Sequence, residues 1–364
     1  MIRIGIIGVG NCASALIQGI EYYREETSDH RGLMHWDLGG YKPSDIEVVL
    51  AFDIDERKVG IDISEAIFKE PNNTKTFFSK IPKSNVVVSM GKVLDGVASH
   101  HTDYSSHISF RISKEKEPTK KDIINLIKKT NTQILVNFLP VGSEKATHFY
   151  VDCALESKTA FINNIPVFVA SNRSLAEKFR TSCVPILGDD IKSQLGATII
   201  HRSLVDLFNK RGVKIERSYQ LNTGGNTDFL NMLDRSRLLS KKTSKTSAVQ
   251  SIGKIENPQE NLHVGPSDFV PWQKDNKICF LRIEGKLFGD TPVELDLKLS
   301  VEDSPNSAGV VIDAIRCCQL ALDNNLCGAI IETSSYFFKH PPVQFNDHES
   351  FLLVEEFINK NKKK

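Results

Sequence analysis

The residues that most restrict this chain are its first thirteen. Ile2 to Ile7 form an apolar run, and Gly8-Val9-Gly10-Asn11-Cys12-Ala13 follows at once. Ala13, Leu16, Ile17 and Ile20 then recur at helical spacing, so the turn joins a buried strand to a helix. That context is what a Gly-x-Gly-x-x-Ala turn needs to hold a dinucleotide. Glycines at 8 and 10 permit the sharp turn and the close approach of a pyrophosphate. A small residue at 13 lets the helix pack on the strand. The start of the helix offers unpaired N–H groups and a positive dipole end to phosphate. The competing reading is an ordinary glycine-rich turn.

The next residues extend the pattern. IEVVLAFDID, NVVVSMG (85–91), ILVNFLPVG (134–142), TAFINNIP (159–166) and VPILGDD (184–190) read as strands, with helical stretches such as KKDIINLIKK between them. Such alternation predicts an α/β fold with a Rossmann-like, doubly wound parallel sheet. Near residue 210 the pattern changes. IERSYQLNTGGN, KICFLRIEGKLFGD and VELDLKLSVEDS alternate with period two, and the polar SKKTSKTSAVQSIGKIENPQE between them reads as a loop. A second α+β domain is expected, its mixed or antiparallel sheet packed on helices by one face and open to a partner subunit on the other. After Ser304 the chain turns helical and then apolar (GAIIETSSYFF), and this last segment is expected to pack back on the first domain.

Composition narrows the class. The 364 residues exceed one ordinary domain. A formal net charge of +1 gives no general attraction to nucleic acid or to an anionic membrane. No apolar stretch approaches ~18 residues, so no transmembrane span is expected. The N-terminus opens on a strand without a secretory pattern. Seven scattered cysteines without a CxxC pair argue for a reducing compartment, hence the cytoplasm. His100-His101 reads as a solvated loop.

Ligands of such sheets sit beyond the carboxyl ends of the strands, so those ends form the candidate rim. They are Gly8 and Gly10 with Asn11, Cys12 and Ala13, then Asp53, Ser89-Met90-Gly91, Leu139-Pro140-Val141-Gly142, Asn163-Asn164 and Gly188-Asp189-Asp190. Each is also a plausible plain turn. Asp53 ends the second strand, where a carboxylate accepts both ribose hydroxyls and disfavours a 2′-phosphate, so NAD is expected over NADP. Asp53 follows Gly10 by 43 residues, whereas about twenty is usual. An insertion around REETSDHRGLMHWDLGGYKPSD is therefore expected to loop out. Adjacent carboxylates at Asp189-Asp190 repel unless paired, and Lys192 is the candidate partner.

The second half carries a lysine-bearing loop. Lys241 and Lys245 would share one face of a helix. Two like charges there suit either an anion between them or a lysine working as an acid or base; the bland reading is a solvated basic loop. Gly224-Gly225-Asn226-Thr227-Asp228 is a turn rich in hydrogen-bonding groups. Asp303-Ser304 opens a helix-capping turn, and Lys339 puts a charge on the aromatic run YFFKHPP.

Taken in order, IGVGNCAS, GLMHWDLGGY, LPVGSE, ILGDDIKSQLGAT, NTGGNTDFLNM, SKKTSKT, HVGPSD, VEDSPNSAG and SYFFKHPP make the chain resemble a myo-inositol-1-phosphate synthase of the shorter prokaryotic type. The resemblance runs over essentially the whole length. It implies that a tightly held NAD oxidises D-glucose 6-phosphate at C5, that enolisation and intramolecular aldol closure follow, and that re-reduction gives 1D-myo-inositol 3-phosphate with no net redox change. It implies that residues 1–210 bind NAD. Residues 211–310 would carry catalysis and tetramerisation through the second sheet, and 311–364 would return to the first domain. It carries catalytic roles to Lys241, Lys245, Lys339, Lys192 and Asp228, with Lys241 or Lys245 the expected proton shuttle at C5 and Lys339 serving the phosphate or the aldol step. It places Asp190 and Asp303, with Ser304, near the nicotinamide.

One block departs from the pattern. The longer eukaryotic members have lysine in a Gly-Asp-Ser-Lys block where this chain reads Gly265-Pro266-Ser267-Asp268. An acid beside an anionic substrate leaves the cation open, divalent or monovalent, with Asp268 or a neighbouring lysine as the compensating element. Two rival readings stand beside the synthase. One is an NAD-dependent sugar-phosphate dehydrogenase that releases NADH. The other is a non-catalytic NAD-sensing protein.

Overall fold

A computed structural model describes residues 1–24, 30–238, 248–249, 255, 257–265 and 268–363. In chain order the strands are β1 (Ile2–Ile7), β2 (Ile46–Asp53), β3 (Ser89–Met90), β4 (Ile134–Asn137), β5 (Ala160–Asn163), β6 (Pro185–Leu187), β7 (Lys214–Gly224), β8 (Leu262–Val264), β9 (Asp268–Phe269), β10 (Asn276–Lys286), β11 (Pro292–Glu302) and β12 (Gly328–Ala329). Seven form a parallel sheet in the order β12-β6-β5-β4-β1-β2-β3. β1 pairs with both β2 and β4, and the chain winds outward from it in both directions. The carboxyl ends of these three strands are therefore the topological switch point, where an open α/β sheet leaves a crevice.

Alternate residues of the central strands feed two separate cores, as period two requires. On one face Ile4, Ile6, Val136 and Ile162 pack beneath the first helix (Asn11–Tyr22) and a long helix (Asp303–Asp323). On the other, Ile7, Leu135 and Phe161 meet Ile123, Ile127, Tyr150, Val151 and Phe179 of three helices (Lys120–Lys129, Glu144–Ser157 and Arg173–Thr181). The sheet is doubly wound. The long helix is apolar nearly all round and is buried along most of its length, as such a helix must be. It runs unbroken across residue 310, and β12 adds a strand beyond β6, so residues after 303 supply a layer and an edge of the first sheet.

Two local expectations change. The third strand was expected over 85–91, but only Ser89–Met90 pair, opposite Phe52 and Asp53 of β2. Val86 and Val88 instead bond to the segment 60–63, through Ile63 N to Val86 O, Val88 N to Ile61 O and Gly60 N to Val88 O, each 2.9 Å. With those groups already paired, the ladder on β2 stops short. The described part of the insertion also does not loop out. Arg316, fully buried on the long helix, donates to the carbonyls of His35 (2.7 Å), Trp36 (3.0 Å) and Tyr41 (3.0 Å). His35 bonds Asp313 (2.5 Å) and Glu355 (2.7 Å). Buried backbone carbonyls need donors, and one guanidinium supplies three.

The second sheet has the order β11-β10-β7-β8, with β9 also on β7. β10 is antiparallel to β7 and β11. Its inner face (Ile215, Cys279, Leu281, Ile283) packs on Val205 and Phe208 of the helix Ala197–Lys210. Its outer face leaves Tyr219, Leu221 and Phe280 exposed, Leu221 directly opposite Phe280.

Candidate active site

The glycine turn is built from behind. Gly8 has φ +91°, and a Cβ there would lie 2.9 Å from the carbonyl oxygen of Phe138, so only glycine fits. Val9 N–H donates to Asp53 Oδ2 at 2.7 Å. The Val9 carbonyl accepts from Lys58 Nζ (2.9 Å) and Asn72 Nδ2 (3.1 Å). The peptide groups on either side of Val9 are thus both held. Lys58 is fully buried, and burial lowers its ammonium pKa below the ordinary range. Asp53 Oδ1 also accepts from Ile54 N–H (2.7 Å) and Asp55 N–H (2.8 Å), so the carboxylate that ends β2 fixes the turn as well as bordering the cleft. Gly10 differs from Gly8. A Cβ placed on it would meet nothing within 4 Å. Gly10 caps the first helix without a side-chain bond, and no acid lies in the first turn. Open space over unpaired helical N–H groups is the geometry that admits a pyrophosphate.

A cleft runs from this turn to the second sheet. It is bordered by Gly8, Gly10, Asn11, Cys12 and Asp53, then by Leu139 and Pro140, Asp190, Asp228, Asp303, Ser304 and Lys339. The winding of one sheet and the docking of another bring these sequence-distant candidates together. Ser193, Gly196, Ala197 and Thr198 also border it, at the start of the helix Ala197–Lys210, which has no acid in its first turn. That positive end faces the same space.

Two lysine–aspartate pairs define the far wall. Lys339 Nζ donates to Asp190 Oδ1 at 2.8 Å. Lys277 Nζ donates to Asp303 Oδ1 at 3.1 Å. Burial pulls the Lys277 ammonium down, but Asp303 more than offsets this and the pKa ends above its ordinary value. Asp228 Oδ1 accepts from Val141 N–H at 3.2 Å. Asn226 caps its short helix through Asp228 N–H and Phe229 N–H. Behind the wall, buried Asp275 gathers donors from four segments: Thr74 Oγ1 (2.6 Å), Ser304 Oγ (2.9 Å), Asn226 Nδ2 (3.0 Å) and Asn11 Nδ2 (3.1 Å). Burial, and then Asp303, push its carboxyl up to about 6. Cys12 lies between Ser304 and Ser307, and burial followed by Asp275 and Asp303 raises its thiol to about 12. A thiol so raised is inert near neutrality.

Some candidates fall elsewhere. Ala13 is fully buried between helix and sheet and does not border the cleft. Ser89 lies on the edge strand, and Gly91 and Lys92 form the wall there instead. Lys192 does not pair with Asp189 or Asp190. Its Nζ turns away to Ser335 O (3.1 Å) and Asp347 Oδ1 (3.5 Å), beside Arg202, and burial draws it down to about 8. Asp189 is held by Asn163, Ser171 and the backbone of Val169 and Ala170. Lys241 and Lys245 lie outside the described residues. Asp268 is exposed on β9 and does not border the cleft. No cluster of three metal-binding side chains occurs among the described residues.

Lys277 was not among the candidates. Its signal was legible nonetheless: it shares the inward register of Cys279, Leu281 and Ile283 on β10, and a lysine in phase with a buried face calls for a partner.

Known proteins resemble this chain along its whole length. A family described as myo-inositol-1-phosphate synthase matches residues 196–304. The inositol-3-phosphate synthase of Mycolicibacterium smegmatis is 48% identical over 365 residues, with 98% of each chain covered. That of Corynebacterium glutamicum is 46% identical over 366 residues, again with 98% of each covered. Among solved structures, Ari2 superposes with a TM-score of 0.80 at 32% identity, over 100% of this chain and 99% of that one. The inositol-3-phosphate synthase of Caenorhabditis elegans shares the fold, with a TM-score of 0.78 at 16% identity over 99% of this chain and 85% of that one. A doubly wound sheet with a glycine cradle, a second sheet closing its cleft and this identity from end to end have one meaning: the chain belongs to the myo-inositol-1-phosphate synthase family.

Proposed function

We propose that the chain converts D-glucose 6-phosphate into 1D-myo-inositol 3-phosphate, with NAD in the cleft over Gly8 and Gly10. The observation that carries this is the meeting of two lysine–aspartate pairs with the glycine cradle in one cleft, Lys339–Asp190 beside the first sheet and Lys277–Asp303 joining the second sheet to the long helix. Open space at Gly10 and the uncapped helix start suit a pyrophosphate. Held there by the residues that border the turn, NAD would supply reversible hydride chemistry at C5.

The chain's own residues then have defined tasks. Oxidation at C5, enolisation and aldol closure move negative charge among sugar oxygens. Ammonium groups held in place beforehand stabilise that charge without reorganising. Asp303 and Asp190 fix the Lys277 and Lys339 ammonium groups at the cleft wall. The positive start of the helix Ala197–Lys210 suits the substrate phosphate. Lys241 or Lys245 serves as the proton shuttle at C5, an assignment that rests on the sequence alone. Lys277 supplies positive charge at the cleft wall where position 268 carries an acid outside the cleft, and a bound divalent or monovalent ion is the alternative. Lys192, turned behind the wall, supports the fold around Asp347 and does not touch substrate.

The exposed Tyr219, Leu221 and Phe280 of the second sheet support a homotetramer built on that face, testable by sedimentation. No described helix is long and apolar enough to cross a membrane; seven scattered cysteines without a CxxC pair favour a reducing compartment, and on that ground we place the enzyme in the cytoplasm. Phosphorus NMR after incubation with glucose 6-phosphate and catalytic NAD, with and without a chelator, tests the reaction. Inositol phosphate without accumulating NADH is expected. Stoichiometric NADH would overturn it in favour of a dehydrogenase.

A further inference from the structure

Two adjacent asparagines follow one another at the end of β5, and the structure treats them differently. Asn163 is satisfied. Its amide donates to Ile165 O (3.1 Å), Val167 O (2.6 Å) and Asp189 Oδ1 (2.7 Å), and its carbonyl accepts from Asn137 Nδ2 (2.9 Å). Asn164 has no protein partner at either end. Its Nδ2 and Oδ1 are both buried and unbonded, and among the described residues it is the one side chain with two such atoms. The residue is 5% exposed. Its backbone is fixed by Asn164 N–H to Asn137 O (3.3 Å) and Ile191 N–H to Asn164 O (3.1 Å), and it borders the cleft.

A buried amide with neither donor nor acceptor matched is costly, and native structures keep such groups for a reason. A primary amide presents a donor and an acceptor side by side in one plane. Its complement is a second primary amide, which offers the same pair in reverse. Position chooses among ligands. The cradle sits on β1, and Asp53, the ribose candidate, ends β2 on one side. A dinucleotide entering over Gly10 therefore extends to the other side, over the ends of β4 and β5, where Leu139, Pro140 and Asn164 stand.

We propose that the Asn164 side chain anchors the nicotinamide carboxamide, Nδ2 donating to its oxygen and Oδ1 accepting from its N–H; this rests on the NAD reading above. Asn164 is then a positioning residue that sets which face of the ring meets the sugar.

Calorimetric titration of NAD and of ADP-ribose, which lacks the nicotinamide, into the full chain and its Asn164→Leu variant tests this. Leucine keeps the shape and removes both polar atoms. NAD affinity should fall about tenfold or more, the cost of one lost buried pair, while ADP-ribose affinity stays unchanged. The unaltered chain should also bind the 3-acetylpyridine analogue of NAD, which lacks the amide N–H, more weakly than NAD. That comparison decides the matter even if the variant does not fold. Equal affinity for the analogue and NAD overturns the proposal. So does a parallel loss for NAD and ADP-ribose. An unchanged NAD affinity with weakened glucose 6-phosphate binding would make Asn164 a reader of sugar hydroxyls and overturn it too. An unaltered chain that binds neither NAD nor ADP-ribose would remove the cofactor reading itself, a distinguishable failure.

Discussion

Lys277 Nζ and Asp303 Oδ1 stand 3.1 Å apart, the lysine near the start of β10 and the aspartate in the first turn of the long helix. The pair ties the second sheet to the helix that covers the first. Asp303 keeps Lys277 charged despite burial. Lys277→Met should therefore lower kcat by roughly 10²–10³, the usual cost of one preorganised charge donor. NAD affinity measured by titration should stay near that of the unaltered chain. Unchanged kcat would remove Lys277 from the machinery.

Two glycines in one turn should fail in different ways. Gly8→Ala forces a side chain at φ +91° against the Phe138 carbonyl, so about 1–3 kcal/mol of stability is lost. Gly10→Ala meets open space and should leave the melting temperature unchanged while NAD affinity falls at least tenfold, roughly what one misplaced methyl against a pyrophosphate costs. Thermal melts and cofactor titrations on both variants check this. Equal melting losses would contradict it.

Asp275 should set the acid limb of activity. Its carboxylate accepts from Asn11, Thr74, Asn226 and Ser304, and burial raises its pKa to about 6. Protonation places a donor among donors and loosens the contacts between cradle and second sheet. Asp303, Lys277 and Cys12 are the ionisable neighbours in this part of the cleft wall. NAD affinity should weaken as pH falls through about 6, and Asp275→Asn should weaken it at every pH with a flattened profile. A variant that kept the acid limb would assign it elsewhere.

His35 should make stability pH-dependent on the alkaline side. Its bond to Asp313, opposed by burial and aided by Glu355, raises its pKa above the ordinary value. A raised pKa means that the folded state holds the proton more tightly. The stabilisation is complete below about 6.5, the unfolded value, and is lost as pH rises through the folded value. His35→Gln should lower the melting temperature by about 1–2 °C at acidic pH, for about 1 kcal/mol lost. The gap should close at alkaline pH. A gap constant across pH would mean that packing, not charge, holds the insertion.

Local pattern made much of the fold legible. The apolar run at Ile2 to Ile7, the helical spacing after Ala13 and the period-two runs of β7, β10 and β11 each reflect the geometry of one element, which neighbouring residues define. Gly10 was legible for the same reason, since a turn between strand and helix is local. Ser89 was misplaced because a strand at a sheet edge depends on whether its N–H groups have already found partners, here in the segment 60–63. Lys192 was misplaced because charge in a sequence carries no direction. The side chain two residues after Asp190 faces Asp347, 155 residues away.

The sequence by itself determined the parallel sheet, the glycine cradle and the family, because periodicity and ordered blocks survive without contacts. Only the tertiary structure decided which lysine meets which aspartate, that the insertion is pinned by Arg316, and that Asn163 is satisfied while Asn164 is not. Those outcomes depend on how distant segments share burial and hydrogen-bond partners. A buried polar group is settled by whatever donor or acceptor the folded chain brings within about 3 Å, a quantity that no stretch of neighbouring residues encodes.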